Sequence, residues 1–317
     1  MQGGLTSAST LAKPTTHETI ALPSSNVPRL IDRAAFASGR LRARNAGGGP
    51  DFLAARVAED MTDRLAATLR PFPSALDLAS PGTAVVEALR ARPGAQRVVR
   101  MAFEPGDGGD LLGDPQALPF AAQSLDLVAS GLALHFADDL PGVFAQVQRA
   151  LKPDGLFLVA LLGGDTLTEL RQSFAAAEAE IEGGLSPRVL PFADVRAIGA
   201  LLQRAAFALP VTDVDRVTVR YDSPLGLMQD LRAWGATNAL AERSRKPLKR
   251  TTLARMLEIY DERFSDADGR VRATFEIVWA SGWAPHDSQQ QPLKPGTART
   301  RLADALGVPE GPPRRRP

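Results

Sequence analysis

Between Ser74 and Leu162 short apolar runs alternate with helix-period segments, and that alternation leaves few folds open. Ser74-Ala-Leu-Asp-Leu, Arg97-Val-Val-Arg-Met-Ala-Phe and Ser124-Leu-Asp-Leu-Val-Ala-Ser each have the length and apolar content of a strand. Leu156-Phe-Leu-Val-Ala-Leu-Leu is apolar throughout, as a strand covered on both faces must be. Between the runs, residues 83–90 follow a Pro81-Gly82 turn as a helix, and Phe144, Val147 and Leu151 mark one face of another that ends at a Lys152-Pro-Asp-Gly turn. Upstream, Leu53, Val57, Met61, Leu65 and Leu69 recur every four residues, the stripe of an amphipathic helix that Pro71 and Pro73 stop. Parallel neighbours need a crossover, usually a helix, so this order reads as βαβ units in an α/β, doubly wound, mostly parallel sheet. Ligands of such sheets bind outside the carboxyl ends of the strands, which singles out the loops at 79–83, 103–106, 130–136 and 163–166.

Beyond residue 200 the pattern changes. Helical segments at 225–234 and 251–264 flank the basic stretch Arg243-Ser-Arg-Lys-Pro-Leu-Lys-Arg, and residues 271–280 then alternate with period two as a strand returning to the sheet. Residues 223–268 are therefore read as a helical insertion placed as a lid. Residues 1–27 and 308–317 lack a periodic apolar face and read as disordered tails around one domain at 28–307. Lys+Arg 37 against Asp+Glu 36 argues against a dedicated nucleic-acid binder. No stretch approaches the roughly 18 apolar residues of a bilayer span. With no cysteine, thiolate nucleophiles, disulfides and Cys-type metal sites are excluded, and three scattered histidines (His17, His135, His286) suggest no metal site.

The most telling stretch is Ala75-Leu-Asp-Leu-Ala-Ser-Pro-Gly-Thr, a strand ending in an acid and turning tightly into a helix. Doubly wound folds receive adenosyl or dinucleotide cofactors in this way, although a one-glycine turn also serves as plain structure. Taken with Gly113-Asp-Pro-Gln-Ala-Leu-Pro-Phe, Ser130-Gly-Leu-Ala-Leu-His-Phe, Leu151-Lys-Pro-Asp-Gly and Gly163-Gly-Asp-Thr-Leu-Thr-Glu, the chain resembles class I S-adenosylmethionine-dependent methyltransferases. It resembles more closely the methyltransferase-like complex I assembly factors of mitochondria and alphaproteobacteria. The resemblance implies a seven-stranded sheet and S-adenosylmethionine as cofactor. It also implies a complex I subunit as protein client, and a cytoplasmic or, in a eukaryote, mitochondrial matrix location with peripheral membrane association left open. The implied cofactor contacts are Asp77, Ala79, Gly82, Glu104, Asp114 beside the adenine amine, Ala117 and Leu118 as the adenine wall, and Ser130. Asp114-Pro115 also suits a plain turn.

The sequence departs from the family where the cofactor would lie. Ala79, Pro81 and Thr83 occupy the three glycine positions of the loop after the first strand, and Pro81 removes an amide donor and fixes its φ. Ala102 stands where the ribose acid is expected, leaving Glu104 as the substitute, and residues 104–112 are too few for the usual helix and strand. Two further residues are catalytic candidates. His135 follows the fourth strand and is either a proton relay or a packed side chain. Asp165 is either a substrate contact or, with Thr166, the cap of a helix at 167–180. Three functions follow: a methyltransferase acting on a protein, an arginine hydroxylase like a mitochondrial relative, or a non-catalytic assembly chaperone whose lid grips the client through its basic stretch.

Overall fold

The computed structural model describes residues 28–49 and 51–290, so the expected tails at 1–27 and 308–317, and the domain end at 307, lie outside it. In chain order come α1 (Arg33–Asn45), α2 (Phe52–Ala66), β1 (Ser74–Leu78), α3 (Ala84–Ala91), β2 (Arg97–Ala102), β3 (Leu111–Leu112) and β4 (Leu125–Gly131). They are followed by α4 (Leu140–Ala150), β5 (Leu151–Leu162), α5 (Thr168–Ile181), α6 (Val195–Arg204), β6 (Ala208–Tyr221), α7 (Pro224–Ala233), α8 (Arg250–Phe264) and β7 (Val271–Trp283). The strands make one sheet in the order β3-β2-β1-β4-β5-β7-β6. β1 to β5 are parallel, and β7 runs antiparallel between β5 and β6. The strand order reverses between β1 and β4, which puts a crevice above their carboxyl ends.

Period-two alternation along the central strands feeds two cores. Leu76, Leu78, Val128, Phe157 and Val159 pack on one face with Phe144 and Val147 of α4 and Ile198 and Leu202 of α6. Leu127, Ala129, Leu156 and Leu158 pack on the other with Val57, Met61 and Leu65 of α2 and Val85 and Leu89 of α3. Leu69, expected to continue the α2 stripe, is 99% exposed. The helix has already ended at Ala66, where Arg92 donates to the carbonyls of Leu65, Thr68 and Arg70 and satisfies acceptors that another helical turn would have used.

Two further local expectations change. Lys152-Pro-Asp-Gly lies inside β5 as a bulge, because the pairing moves from Leu125↔Leu151 to Leu127↔Leu156, with Asp154 at φ +62°. Residues 103–110 form a loop without a helix, as read, yet Leu111 and Leu112 do pair in parallel with Met101 and Ala102 as a two-residue strand.

The inserted helices lie between β6 and β7, with Met256, Ile259 and Tyr260 of α8 buried in a cluster that includes Leu170, Phe174 and Ala177 of α5. The segment between α7 and α8 runs back over α1. Ile31 bridges Leu240, the Asp32 amide donates to the Ala239 carbonyl at 2.8 Å, and the Ala241 amide donates to the Leu30 carbonyl at 2.9 Å. Gly39 makes the crossing possible, since a Cβ there would sit 2.8 Å from Thr237 Oγ1. The basic stretch, expected to face a client, is largely engaged within the fold. Arg243 and Arg245 both pair with Asp32, and Lys249 pairs with Glu182 at 2.7 Å. The Ala35 amide first, then the two guanidiniums, hold the Asp32 carboxyl down at about 2. Among the described residues no helix is long and apolar enough to cross a membrane.

Candidate functional site

Two clefts open above the carboxyl ends of β1, β2 and β4. The smaller, about 450 Å³, is walled by the loop after β1 (Ala79, Pro81), the loop after β2 (Phe103, Asp107), the turn after β3 (Asp114, Pro115) and residues 132–134 and 136–137. The larger, about 1010 Å³, lies between residues 188–192, residues 231–240 and the start of α5. Phe36 and Arg40 of α1, Pro81, Leu132 and Phe136 line both, so the clefts share a wall.

The smaller cleft is bounded by the turn in which Ala79, Pro81 and Thr83 stand at the expected glycine positions. Ala79 sits at φ +61°, a left-handed conformation that costs an L-residue of this kind about 1–2 kcal/mol, and its amide donates to the Met101 carbonyl at 2.8 Å. Gly82 is also left-handed, at φ +64°, and a Cβ on it would meet open space. Ala79→Gly is therefore expected to raise stability by up to about 1 kcal/mol, the relief exceeding the added freedom of the unfolded chain. Urea unfolding of the pair of proteins checks this, and a loss would mean that the turn depends on the methyl group.

Beneath the turn lies a buried charge pair. Asp77 is fully buried and Arg100 is 2% exposed, with Nε 3.5 Å from Asp77 Oδ2. Burial pushes the Asp77 carboxyl up to about 6, against the opposing pull of Ser80 and Arg100. The Arg100 guanidinium also donates to the carbonyls of Ser80, Asp107 and Gly108 and so ties the loop after β1 to the loop after β2. Ser130 is buried, its hydroxyl donating to the Leu78 carbonyl at 2.7 Å, while Ser80 Oγ accepts the Gly131 amide at 2.8 Å. Asp77 and Ser130 thus support the loops from below and line neither cleft.

Beside Asp114, the smaller cleft is lined by a second acid, Asp107. It accepts from Arg40 at 3.1 Å and from Arg44 at 2.7 Å, and its two oxygens keep lone pairs for further donors. Glu104, the expected substitute, lines neither cleft; burial and the neighbouring Asp107 raise its pKa. Arg33 lies over the Phe103 ring at 4.7 Å and 3.8 Å from Asp114 Oδ2. Asp114 lines the cleft, and its Oδ1 accepts the Gln116 amide at 2.9 Å. Of the expected adenine wall, Leu118 is buried in the core and neither it nor Ala117 lines the cleft. Sequence reasoning placed Ala79 and Asp114 at this cleft and missed Arg33, Arg40 and Asp107; the two arginines carry no local motif that would mark them.

The larger cleft is mostly apolar and aromatic. His135 lines it, partly buried, and desolvation pulls its pKa down to about 3, so the imidazole stays neutral across the physiological range. Its Nδ1 has no hydrogen-bond partner among the described residues. Arg188, also on the wall, donates to the buried carboxylate of Glu178. Asp165 is not part of this arrangement. It is about half exposed, paired with Arg216, and lines neither cleft. Nor does its side chain, or that of Thr166, cap α5. Thr166 Oγ1 instead exchanges hydrogen bonds with the Glu276 backbone, and Leu167 at φ +55° leads into the helix.

Comparison with known proteins gives several matches. The methyltransferase-domain family matches residues 75–159. The arginine-hydroxylase NDUFAF5, mitochondrial, of Danio rerio is 37% identical over 268 residues, 80% of this chain and 82% of that protein. The malonyl-(acyl-carrier protein) O-methyltransferase of Gallionella capsiferriformans is 40% identical over 172 residues, 54% of this chain and 57% of that protein. Among solved structures, the YcgJ protein of Bacillus subtilis gives a TM-score of 0.49 at 14% identity, covering 73% of this chain and 99% of that one.

Proposed function

We propose, from the premise that this chain belongs to the class I methyltransferase superfamily and within it to the family of the NDUFAF5 proteins, that it modifies an arginine side chain of a protein client during assembly of respiratory complex I. The observation that carries this reading is the shared wall. A ligand in the smaller cleft and a side chain reaching into the larger one meet across Phe36, Arg40, Pro81, Leu132 and Phe136. The lining of the smaller cleft offers groups suited to S-adenosylmethionine: Asp114 would serve the adenine amine, Asp107 the ribose hydroxyls, and the turn at Ala79 lets the backbone approach. When bound, that cofactor supplies an electrophilic methyl group. The chain's own residues hold the two partners, exclude water with aromatic walls, and offer His135 as a neutral hydrogen-bonding group.

The relatives' name supports hydroxylation as the product, a step that takes its oxygen from dioxygen with an external two-electron donor and not from S-adenosylmethionine, and the methyltransferase domain supports methylation as the second reading. The client would be met in the cytoplasm, or in the mitochondrial matrix of a eukaryote, on the side of the membrane where complex I subunits are assembled. Mass spectrometry of complex I subunits from cells with and without the gene separates the outcomes. An added oxygen on one arginine supports the first reading and an added methyl group the second. Identical masses together with a loss of assembled complex would leave a non-catalytic chaperone in place of both.

A further inference from the structure

We infer that Asp51 is the specificity-determining residue of the larger cleft, the carboxylate that receives the client's guanidinium. The inference rests on the arginine reading above and adds to it the group that makes the choice. Three observations carry it. Phe36, Phe136, Phe192, Trp234 and Phe275 line the cleft, and aromatic faces attract a planar cation by stacking and by their quadrupole. The two arginines on the wall are already engaged, Arg40 with Asp107 and the Trp234 carbonyl and Arg188 with Glu178, so neither is a free cation turned against an incoming one. Asp51 is the one carboxylate lining the cleft among the described residues.

Asp51 precedes α2 and uses Oδ1 to accept the Ala54 amide at 2.9 Å, which leaves Oδ2 for another donor. No ion pair within 4 Å forms on it among the described residues, and burial raises its carboxyl pKa despite the amides of Ala54 and Leu53 and the charge of Arg40. A carboxylate so placed lacks a counter-charge that an entering guanidinium supplies, in the strong charge-assisted form of the bond. A lysine ammonium brings the charge without the plane, and citrulline brings the plane without the charge.

Calorimetry with the capped peptides acetyl-Ala-Arg-Ala-amide and acetyl-Ala-Cit-Ala-amide (Cit, citrulline) tests the inference on the full chain. The wild type is expected to bind the arginine peptide at least about tenfold more tightly, as a buried charged hydrogen bond warrants. Asp51→Asn keeps an N-cap oxygen for α2, so its melting temperature should hold while the preference falls below about threefold. Asp51→Glu, which keeps the charge, should retain most of the preference. An Asp51→Asn protein that still prefers arginine as strongly as the wild type overturns this inference and leaves the arginine reading standing. A wild type without preference overturns the arginine reading, and the role of Asp51 with it.

Discussion

Arg100→Met is expected to destabilise the protein by about 3–5 kcal/mol at neutral pH, the usual cost of leaving one member of a buried pair without its partner. The side chain is 2% exposed, lies 3.5 Å from the fully buried Asp77 and holds three carbonyls of two different loops. Methionine fills much of the space but supplies neither charge nor donors. The deficit should depend on pH in a stated direction. The Asp77 carboxyl sits at about 6 in the folded chain, above the ordinary carboxylate value, so folding favours its protonated form and this residue's stability contribution rises as pH falls from 7 toward 4. Without Arg100 the folded value rises further, and the variant gains more from acidification than the wild type. The gap between the two should therefore narrow as pH falls toward about 6 and level off below it, leaving only the cost of the lost carbonyl bonds. Urea unfolding of both proteins at about pH 7.5 and about pH 5 measures this. A deficit that is constant with pH would show that Asp77 and Arg100 are not coupled.

Asp114→Ala is expected to weaken S-adenosylmethionine binding by about 10–150-fold, the range for losing hydrogen bonds to one charged acceptor. The Arg33 guanidinium is 3.8 Å away and both partners are partly exposed, so that contact is weak and leaves the carboxylate available to an adenine amine. Asp114 also holds the Gln116 amide, and losing that bond would disturb the turn by itself. Asp114→Asn separates the two roles, because its amide oxygen still accepts from Gln116 without carrying charge. Calorimetric titration of the three proteins is the measurement. Affinity within about threefold of wild type in Asp114→Ala would remove this residue from the cofactor site.

Strands and helices were legible wherever periodicity and burial agreed. Leu156 to Leu162 had to be central because nothing polar interrupts it, and the sheet places it between β4 and β7. Legibility failed where a distant side chain decided the outcome. Leu69 continues the every-fourth-residue spacing of α2, but the guanidinium of Arg92 takes up the last carbonyls and the helix ends before reaching it. Lys152-Pro-Asp-Gly has turn composition, yet the ladder to β4 continues around it as a bulge. The same division holds at the site. Ala79 and Asp114 follow strands of the fold and could be placed from the sequence, whereas Asp107 lies in a loop of irregular length whose fold depends on Arg40, Arg44 and Arg100. Gly-Gly-Asp-Thr-Leu is one of the stretches that carry the resemblance, but Asp165 within it faces Arg216 on the surface and not the clefts.

The crossing of α1 beneath residues 235–245 has a consequence for how the chain reaches this state during synthesis. Part of the α1 segment finds its partners early, since Leu30 and Ile31 bond to Asp138, 108 and 107 positions on. The crossing is completed only when residues 239–245 arrive, Arg245 lying 213 positions from Asp32. At roughly 5–20 residues per second, the ribosome delivers that second half about 10–40 s after the first helix has emerged. Until then Phe36 and the wall it shares between the clefts stand uncovered, and contacts so distant in sequence are the slow ones to form. The nascent chain thus passes through a long interval with its ligand-facing aromatic surface open to solvent, and closure of the roof belongs to the last stage of folding.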